Sequence, residues 1–276
     1  MACIGTVPPE WALEFFGRIC YNYIIYAVMR KGGGGMLRHI PLGRMYNLRD
    51  LGGYPVPGGE TAWERLLRGD NPEGLTEEDL RWLLDRGITT VVDLRSEAET
   101  RRKPDQLSGR PAFHYVHCPL LAEGDGMPNL ETDVGRGYFR MLDSSDLVAH
   151  ALRTVADAPG GVLFHCTAGK DRTGLVAALL LGLAGAERTE LLADYQVSET
   201  YLADIIRQIK TNVPTLPAFA GASKAEYLSD CLDLLEEKYG SIPGYLWAIG
   251  LTEEELAALR GKLLPPDIIK GGPALG

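Results

Sequence analysis

The chain has 276 residues, 45% of them hydrophobic and 24% charged, which is typical of a globular protein with a sizeable buried core. Its formal net charge of −9 argues against nonspecific binding to nucleic acid and against attraction to anionic lipid surfaces, so an anionic substrate would need a local positive field. The five scattered cysteines favour a reducing, cytoplasmic compartment without disulfides, and secretion by a route that needs no signal peptide is left open.

The first 35 residues are aromatic and apolar, but polar side chains interrupt them before they could cross a bilayer, which takes ~20 apolar residues. They also lack the basic start and small-residue cleavage site of a signal peptide. Two interpretations are open: an interfacial anchor, or an extension outside the fold that is not translated. We favour the second, because codons for the KGGGG before Met36 can spell a ribosome-binding sequence. Residues 1–35 are then an N-terminal extension, and residues 36–276 form one domain.

From Met36 onward the sequence predicts one continuous α/β pattern. Residues 47–59 are rich in Gly and Pro and indicate surface turns, followed by a short strand at 65–68. A helix is expected between the N-cap Thr76, with Asp79 three residues later, and Gly87. The β-branched, apolar residues 88–95 predict a strand that is buried on both faces of a parallel sheet.

The second half of the pattern adds a short helix after Ser96 and a strand at 113–120. Residues 122–137 show little periodicity, so we expect a mobile loop that is either a lid over the site or a solvated connection. A helix at 147–156, a strand at 161–166, an apolar helix packed on most sides and then only helices complete the chain, the last one capped by Thr252 and Glu255. This order predicts a single α/β domain with a central, largely parallel sheet flanked by helices, and a helical C-terminal part.

The clearest chemistry lies in HCTAGKDRTG, residues 165–174, which links a buried strand to a helix N-terminus. Orphan N–H groups and the helix dipole converge on an anion at such a junction. Cys166 follows the carboxyl end of the strand, where the loop amides would stabilise a thiolate nucleophile. Arg172 adds a planar fork for two phosphate oxygens, and Gly169 permits the backbone turn. We therefore predict a phosphate nest formed by Thr167, Ala168, Gly169, Lys170, Arg172 and Thr173.

Cys-x5-Arg followed by Thr, with His165 in front, resembles the signature of the cysteine-dependent protein tyrosine phosphatase superfamily. Four further motifs keep the order of a bacterial group of tyrosine and dual-specificity phosphatases typified by a mycobacterial member: NLRDLGG, VVDLRSEAE, LLADYQVS and AEYL…YGSIPGYL. The similarity spans roughly residues 45–263. It implies a protein tyrosine phosphatase-like fold and a hydrolase that acts on phosphotyrosine, with phosphoserine, phosphothreonine and phosphoinositides as further candidate substrates.

The resemblance also implies roles for the residues of the loop. Cys166 attacks phosphorus to form a phosphocysteine, while Arg172 and the loop amides stabilise the equatorial oxygens. Thr173 can donate a hydrogen bond to the Cys166 sulfur when it leaves. His165 is expected to orient the loop from its buried side. Lys170 is either a further cation for a polyanionic substrate such as a phosphoinositide, or the charge balance for the neighbouring aspartate.

The general acid is open between several aspartates. The resemblance implies Asp171, whose neighbouring cations also suit a base that activates water, and which could alternatively only brace the loop. Asp125 and Asp133, in the candidate lid, are competitors. Asp93 is expected either to hold Arg172 or to cap the next helix.

Three remaining expectations concern neighbours of the loop and the class of protein. By resemblance, Arg49 contacts the site from a neighbouring loop. Cys118 is either an oxidation partner of Cys166 or an inert buried thiol. An active phosphatase, a phosphate-binding pseudophosphatase and another cysteine enzyme, such as a sulfurtransferase or arsenate reductase, are the competing classes. No metal or organic cofactor is implied, since the chain supplies nucleophile, anion cradle and acid, and the oligomeric state is not predicted.

Overall fold

The computed structural model describes residues 37–121, 133–215 and 220–271. Its strands, in chain order, are β1 (Arg49–Asp50), β2 (Pro55–Val56), β3 (Gly59–Glu60), β4 (Leu66–Gly69), β5 (Ile88–Asp93), β6 (His114–His117) and β7 (Gly161–His165). Five of them form a central sheet in the order β1-β4-β7-β5-β6, while β2 and β3 pair with each other as a separate hairpin.

Ten helices lie in the described residues. They are α1 (Glu77–Asp85), α2 (Glu97–Arg102), α3 (Val134–Asp143), α4 (Ser145–Asp157), α5 (Asp171–Leu183), α6 (Arg188–Asn212), α7 (Ala225–Tyr239), α8 (Ile242–Ala248), α9 (Glu253–Leu263) and α10 (Pro266–Gly271). The last five account for the helical C-terminal part.

β7 lies at the centre of the sheet, parallel to β4 on one side and to β5 on the other. β6 continues the parallel arrangement beyond β5, and β1 is antiparallel to β4. All five residues of β7 are buried, as expected for a strand that is covered on both faces. Because the carboxyl ends of the four parallel strands meet at one edge, the segments that follow them gather there.

α5 follows β7 after a short loop and fills the interior beside the sheet. Eleven of its 13 residues are buried, and it packs against α3, α6, α8, α9 and the strands β4 and β7. This arrangement confirms the predicted apolar helix that is packed on most sides. The predicted α/β fold with a central, largely parallel sheet flanked by helices is also confirmed.

The predicted helix caps are confirmed in detail. Thr76 and Asp79 form a reciprocal capping box at α1, as Thr252 and Glu255 do at α9. Ser96 caps the short helix that was expected after it. These signals are reliable because donor and acceptor lie three residues apart and need no tertiary contact.

Two expectations were wrong in part. Residues 47–59 are more than turns, since they contain β1, β2 and the first residue of β3, and these two-residue strands are too short for a periodic signal. Residues 133–137 belong to a helix terminus and not to the loop, because Asp133 accepts the N–H of Arg136 as N-cap of α3. Gly135 then lets α3 approach α7 closely: a Cβ there would lie 2.5 Å from the Cβ of Asp230.

Several expectations fall outside the described residues. The role of residues 1–35, the domain boundary at Met36 and the choice between lid and connection for residues 122–132 stay predictions. Within the described part of the chain, every helix is too short or too polar to cross a membrane.

Candidate active site

The loop between β7, the middle strand of the sheet, and α5 carries Cys166 and Arg172. Both side chains are buried, with Cys166 2% and Arg172 5% exposed. The N–H groups of the first turn of α5 have no partners inside the helix and face the loop end of the sheet. The first helical bond runs from the N–H of Gly174 to the carbonyl of Lys170 at 2.8 Å. The predicted junction of strand, loop and helix N-terminus is therefore present.

Four successive carbonyl groups of the loop are each held by a donor. The Cys166 carbonyl lies 3.2 Å from Nδ1 of His165, and the Thr167 carbonyl accepts the N–H of Asn71 at 3.3 Å. Carbonyl oxygens of residues 168 and 169 both accept from Nδ2 of Asn47 at 2.9 Å. In a planar trans peptide the C=O and the following N–H point in opposite directions. The N–H groups of residues 167–170 therefore point to the other side of the loop, as an anion nest requires.

Gly169 is the position at which this geometry depends on glycine. Its φ is +65°, and a Cβ there would lie 2.5 Å from the backbone carbon of Gly69 at the end of β4. Both the backbone conformation and the space exclude a larger residue. The Gly169 carbonyl accepts a second bond from Arg68, whose NH2 lies 2.7 Å away. The sequence did not predict Arg68, because it is an unremarkable residue in a short strand.

Arg172 is held by Glu99, a residue that sequence reasoning missed. The two terminal nitrogens of Arg172 pair with the two carboxylate oxygens of Glu99 at 2.5 and 2.8 Å. Glu99 also accepts from the hydroxyl of Thr167 and completes the cap of α2 with Ser96. It therefore joins both ends of the phosphate loop. Glu99 is the last residue of the motif VVDLRSEAE, so the sequence did point to this segment, but neither the motif nor the short helix after Ser96 indicated a contact with Arg172.

Charge pairing shifts the pKa of both partners. Burial would raise the pKa of Glu99, but the hydrogen bonds and charge of Arg172 outweigh it and hold the pKa well below its usual range. Burial would likewise lower the pKa of Arg172, but the hydrogen bonds and charge of Glu99, with nearby Cys166 and Asp171, outweigh burial and raise it. Nε of Arg172 is buried and has no hydrogen-bond partner among the described residues. This edge of the guanidinium remains available for an oxyanion.

Asp93 performs neither of its two predicted roles. Its carboxylate pairs with Arg95, at 2.6 Å between Oδ2 and NH2, and accepts the hydroxyl of Tyr115 at 2.8 Å. Glu99 holds Arg172, and Ser96 caps the next helix. Burial acts to raise the pKa of Asp93, but the bonds from Arg95 and the charge of nearby groups lower it to about 2.

His165 lies on the buried side of the loop, as its predicted orienting role requires. Its Nδ1 faces the Cys166 carbonyl, and its Nε2 lies 3.0 Å from a carboxylate oxygen of Asp105. Burial lowers the pKa of His165, but Asp105 and Asp93 outweigh it and raise the pKa above its usual value. The side chain is completely buried, so it has no access to a substrate oxygen.

Asp171 lies at the start of α5 and is held by two donors. The hydroxyl of Tyr138 donates to its Oδ1, and Nζ of Lys170 lies 3.3 Å from the same oxygen. Tyr138 in turn bonds Tyr195 at 2.7 Å between the hydroxyl oxygens. Both contacts use Oδ1, and Oδ2 makes no hydrogen bond among the described residues. Neither tyrosine was a predicted site residue.

The other predicted neighbours are placed as follows. Asp133 caps α3 and pairs with Arg136 at 3.2 Å, and Asp125 lies outside the described residues. Lys170 contacts Asp171, as the charge-balance interpretation expects, and also donates to the carbonyl of Ala222 at 2.9 Å. The Thr173 hydroxyl is buried and makes no hydrogen bond among the described residues, so its expected bond to the departing Cys166 sulfur in the second step stays a prediction.

Cys118 cannot be a direct oxidation partner of Cys166 in this fold. Cys118 follows β6 and Cys166 follows β7, and β5 lies between the two strands. Two strand spacings amount to ~9.6 Å, whereas a disulfide needs Cα atoms within ~7 Å. Cys118 instead lies in the core, 3.5 Å from the hydroxyl of Thr154, and burial raises the pKa of its thiol.

Arg49 does not reach the loop directly. Its Nε pairs with Asp194 at 2.9 Å, and its NH1 donates to Oδ1 of Asn47 at 2.5 Å. Asn47 then makes the contacts to the loop carbonyls. The predicted contribution of NLRDLGG is thus made through Asn47, with Arg49 behind it.

The sequence is similar to those of known proteins over most of the chain. A candidate tyrosine-protein phosphatase of Cupriavidus necator is 32% identical over 248 residues, which cover 79% of this chain and 85% of that protein. A tyrosine-protein phosphatase of Nostoc commune is 31% identical, covering 68% and 70% of the two chains. Triple specificity protein phosphatase PtpB of Mycobacterium tuberculosis is 28% identical, covering 72% and 91%.

A comparison with protein-family profiles assigns the chain to the same family as the motifs do. The sequence profile described as "Tyrosine phosphatase family" matches residues 40–265, a range that contains β1 to β7, the loop of Cys166 and the helices α1 to α9. The resemblance inferred from five ordered motifs is thereby confirmed, and this chain belongs to the tyrosine phosphatase family.

Proposed function

We propose that this protein hydrolyses phosphomonoesters, with phosphotyrosine as its principal substrate, through a phosphocysteine intermediate. The observation that carries the proposal is the row of four carbonyls, residues 166–169, that are bound on one side of the loop. The N–H groups of residues 167–170, on the opposite side of the loop, supply several donors for one phosphate next to the Cys166 thiol and the N-terminus of α5.

In the first step the Cys166 thiolate attacks phosphorus, and the bond between phosphorus and the ester oxygen breaks. The leaving oxygen takes a proton from Oδ2 of Asp171. In the second step water attacks the phosphocysteine, Asp171 recovers a proton from that water, and the thiolate leaves. The chain's contribution is mainly electrostatic, because the transferred group keeps its negative charge throughout.

Arg172 supports both steps from a fixed position. Glu99 binds its terminal nitrogens, so the guanidinium plane is set before a substrate arrives. The unpaired Nε and the second hydrogen of NH2 form a side fork for two phosphate oxygens. Holding the arginine in advance reduces the ordering needed when the phosphate binds.

The proposed substrate range extends to phosphoserine, phosphothreonine and phosphoinositides. The relative from M. tuberculosis is named for triple specificity, which supports testing more than one substrate class. Lys170 is the candidate cation for a second phosphate, but binding one would require it to leave the Ala222 carbonyl and Asp171. We therefore rank phosphotyrosine above phosphoinositides.

The test is phosphate release by the full chain, without added metal, from phosphotyrosine, phosphoserine and phosphothreonine peptides and a set of phosphoinositides. Cys166→Ser is the inactive variant. Cys118→Ser is the matched control, since it makes the same change at a buried cysteine that lies outside the loop. Acid quenching with a ³²P-labelled substrate traps a protein-bound phosphate if the intermediate forms.

We expect release by the wild type and Cys118→Ser, none by Cys166→Ser, and a trapped label that Cys166→Ser lacks. Release that persists in Cys166→Ser would refute the cysteine mechanism. A wild type that binds inorganic phosphate but releases none would replace the phosphatase with a phosphate-binding pseudophosphatase.

A further inference from the structure

The motif LLADYQVS places a buried carboxylate behind the catalytic loop. Asp194, on α6, accepts Nε of Arg49 at 2.9 Å and the hydroxyl of Tyr54 at 2.8 Å through Oδ1. Its Oδ2 accepts NH1 of Arg68. Asp194 is 3% exposed and both arginines are at most 1% exposed, so two guanidinium groups share one carboxylate away from water.

Each arginine of this cluster leads to the loop by one further contact. Arg68 donates to the Gly169 carbonyl at 2.7 Å. Arg49 donates to Oδ1 of Asn47, which leaves Nδ2 of the same amide facing the carbonyls of residues 168 and 169. Among the described residues, Arg68 and Asn47 are the side chains that hold these two carbonyls, and Asp194 pairs with Arg68 directly and reaches Asn47 through Arg49.

Holding these carbonyls fixes the N–H groups of Gly169 and Lys170, since each N–H is in the same planar peptide as one of them. A loosened carbonyl would let its peptide rotate and would turn a donor away from the phosphate. We propose that Asp194 is a positioning residue, which sets the affinity of the catalytic loop for phosphate through Arg68, Arg49 and Asn47. The inference rests on the proposed function, in which this loop binds the phosphate.

A purely electrostatic role and a positioning role of Asp194 predict opposite changes in phosphate affinity for Asp194→Asn. The cluster of two arginines and one aspartate carries one net positive charge, and removing the carboxylate charge would make it more positive. Coulomb attraction alone would then bind phosphate more tightly. Positioning predicts the reverse, because an amide offers one acceptor in place of two and turns a donor toward a guanidinium.

The experiment measures inhibition by inorganic phosphate, kcat/KM and the thermal midpoint in the full chain. We expect Asp194→Asn to raise the inhibition constant of phosphate about tenfold, the usual scale for losing charge-assisted hydrogen bonds. Tyr245→Phe is the matched control, because it removes a buried hydroxyl bond to the Leu142 carbonyl that is not part of this cluster. It should lower the thermal midpoint and leave the inhibition constant unchanged.

Arg68→Met keeps the inference testable if Asp194→Asn does not fold. It leaves Asp194 paired with Arg49 alone, and a buried charge is replaced by an apolar side chain of similar volume. The Gly169 carbonyl loses its arginine donor, so phosphate should again bind about tenfold more weakly.

An unchanged or lower inhibition constant in a folded Asp194→Asn, or in Arg68→Met, would overturn the role of Asp194. If the wild type releases phosphate from substrates and binds inorganic phosphate, such a result removes only this inference. If the wild type does neither, the proposed function has failed and the inference fails with it.

Discussion

Glu99 carries three tasks with one carboxylate: it caps α2 with Ser96, accepts the Thr167 hydroxyl and pairs with Arg172. Its side chain is 22% exposed, whereas that of Arg172 is 6% exposed, so Glu99 is the more solvent-accessible partner of the pair. A charged pair in this position can be retained for orientation even where its net contribution to stability is small. Glu99 is thus the residue on which the orientation of the guanidinium most depends.

Replacing Glu99 by Gln should lower kcat/KM about tenfold, because hydrogen bonds to charged groups contribute about 1.5–3 kcal/mol and the arginine would lose its fixed plane. Initial rates with a phosphotyrosine peptide provide the measurement. Glu97→Gln is the matched control on the same helix, since its carboxylate contacts Arg101 and His117 at the surface. A value of kcat/KM equal to that of the wild type would show that Arg172 is held by the loop alone.

Tyr138→Phe tests whether Asp171 transfers a proton to the leaving group. The change removes the donor to Oδ1 of Asp171 and leaves the ring, which packs edge to face on Tyr195, in place. General acids typically contribute about 10²–10⁴-fold, so a misplaced acid should lower kcat about tenfold for alkyl and phenyl phosphates. Nitrophenyl phosphates, whose leaving groups need little protonation, should react at nearly the wild-type rate.

The measurement is kcat across phosphate esters whose leaving groups differ in pKa. Tyr239→Phe, which removes an exposed hydroxyl bond to Asp143, is the control and should leave the dependence unchanged. If Tyr138→Phe lowered kcat equally for every leaving group, Tyr138 would support the loop and not the proton transfer.

Elements that depend on contacts between sequence neighbours could be predicted from the sequence, whereas elements that depend on contacts between distant residues could not. The caps of α1 and α9 were predictable, because Thr76 and Asp79 are neighbours in sequence and their bonds form within one turn. The same holds for the loop of Cys166, whose residue types and spacing indicate a phosphate site by themselves. β1 was not predictable, because its two residues are charged yet buried, and Arg49 finds its partner Asp194 only 145 residues away.

The close approach of α3 and α7 is another long-range feature that could not be predicted from the local amino-acid composition. VGRG, with two glycines, suggests a loop, yet Gly135 is the residue that allows the two helices to touch. α3 is also the helix that carries Tyr138 to Asp171. Packing between these helices therefore affects the position of a candidate catalytic group.

Gly135→Ala should destabilise the protein by about 2 kcal/mol, within the range for overpacking a close contact. The new Cβ would lie 2.5 Å from the Cβ of Asp230 and 3.2 Å from the backbone nitrogen of Cys231, neither of which can move as a flexible side chain would. Chemical denaturation measures the loss. Gly261→Ala on α9 is the matched control: nothing lies within 4 Å of its Cβ, so it should be neutral or gain up to about 1 kcal/mol. Equal stability of the two variants would contradict the contact.

At the scale of the whole molecule, the site is assembled from segments that are distant in sequence. Asn47 reaches the Ala168 carbonyl over 121 residues, and Glu99 reaches Arg172 over 73. Contacts of such sequence separation join segments that only the folded chain brings together. Loss of the fold and loss of phosphate binding should therefore coincide, and conditions that alter global stability, such as pH, bear directly on function.

Buried carboxylates of two kinds should shape the dependence of stability on pH. Burial raises the pKa of Asp50 and of Asp70 to about 6, against hydrogen bonds that lower it. For Asp93 and Asp194, burial is outweighed by arginine partners, and the pKa falls to about 2. The first pair adds stability that is complete below the unfolded value of 3.8 and is lost as pH rises through about 6. The second pair adds stability that is present above 3.8 and is lost as pH falls through about 2.

Together these groups predict that the free energy of unfolding is greatest at about pH 4, where Asp93 and Asp194 are ionised while Asp50 and Asp70 still hold their buried protons, and that it declines as pH rises toward about 7. Denaturant titrations of the full chain from pH 3 to 8 measure this dependence. Asp50→Asn, which cannot ionise, should flatten the decline between about pH 4 and 6 by about 1–3 kcal/mol. Asp85→Asn, at the end of α1, is a surface control that should leave the curve as it is. A wild-type stability that rises from pH 5 to 7 would mean that Asp50 and Asp70 ionise in the folded protein as they do in the unfolded chain.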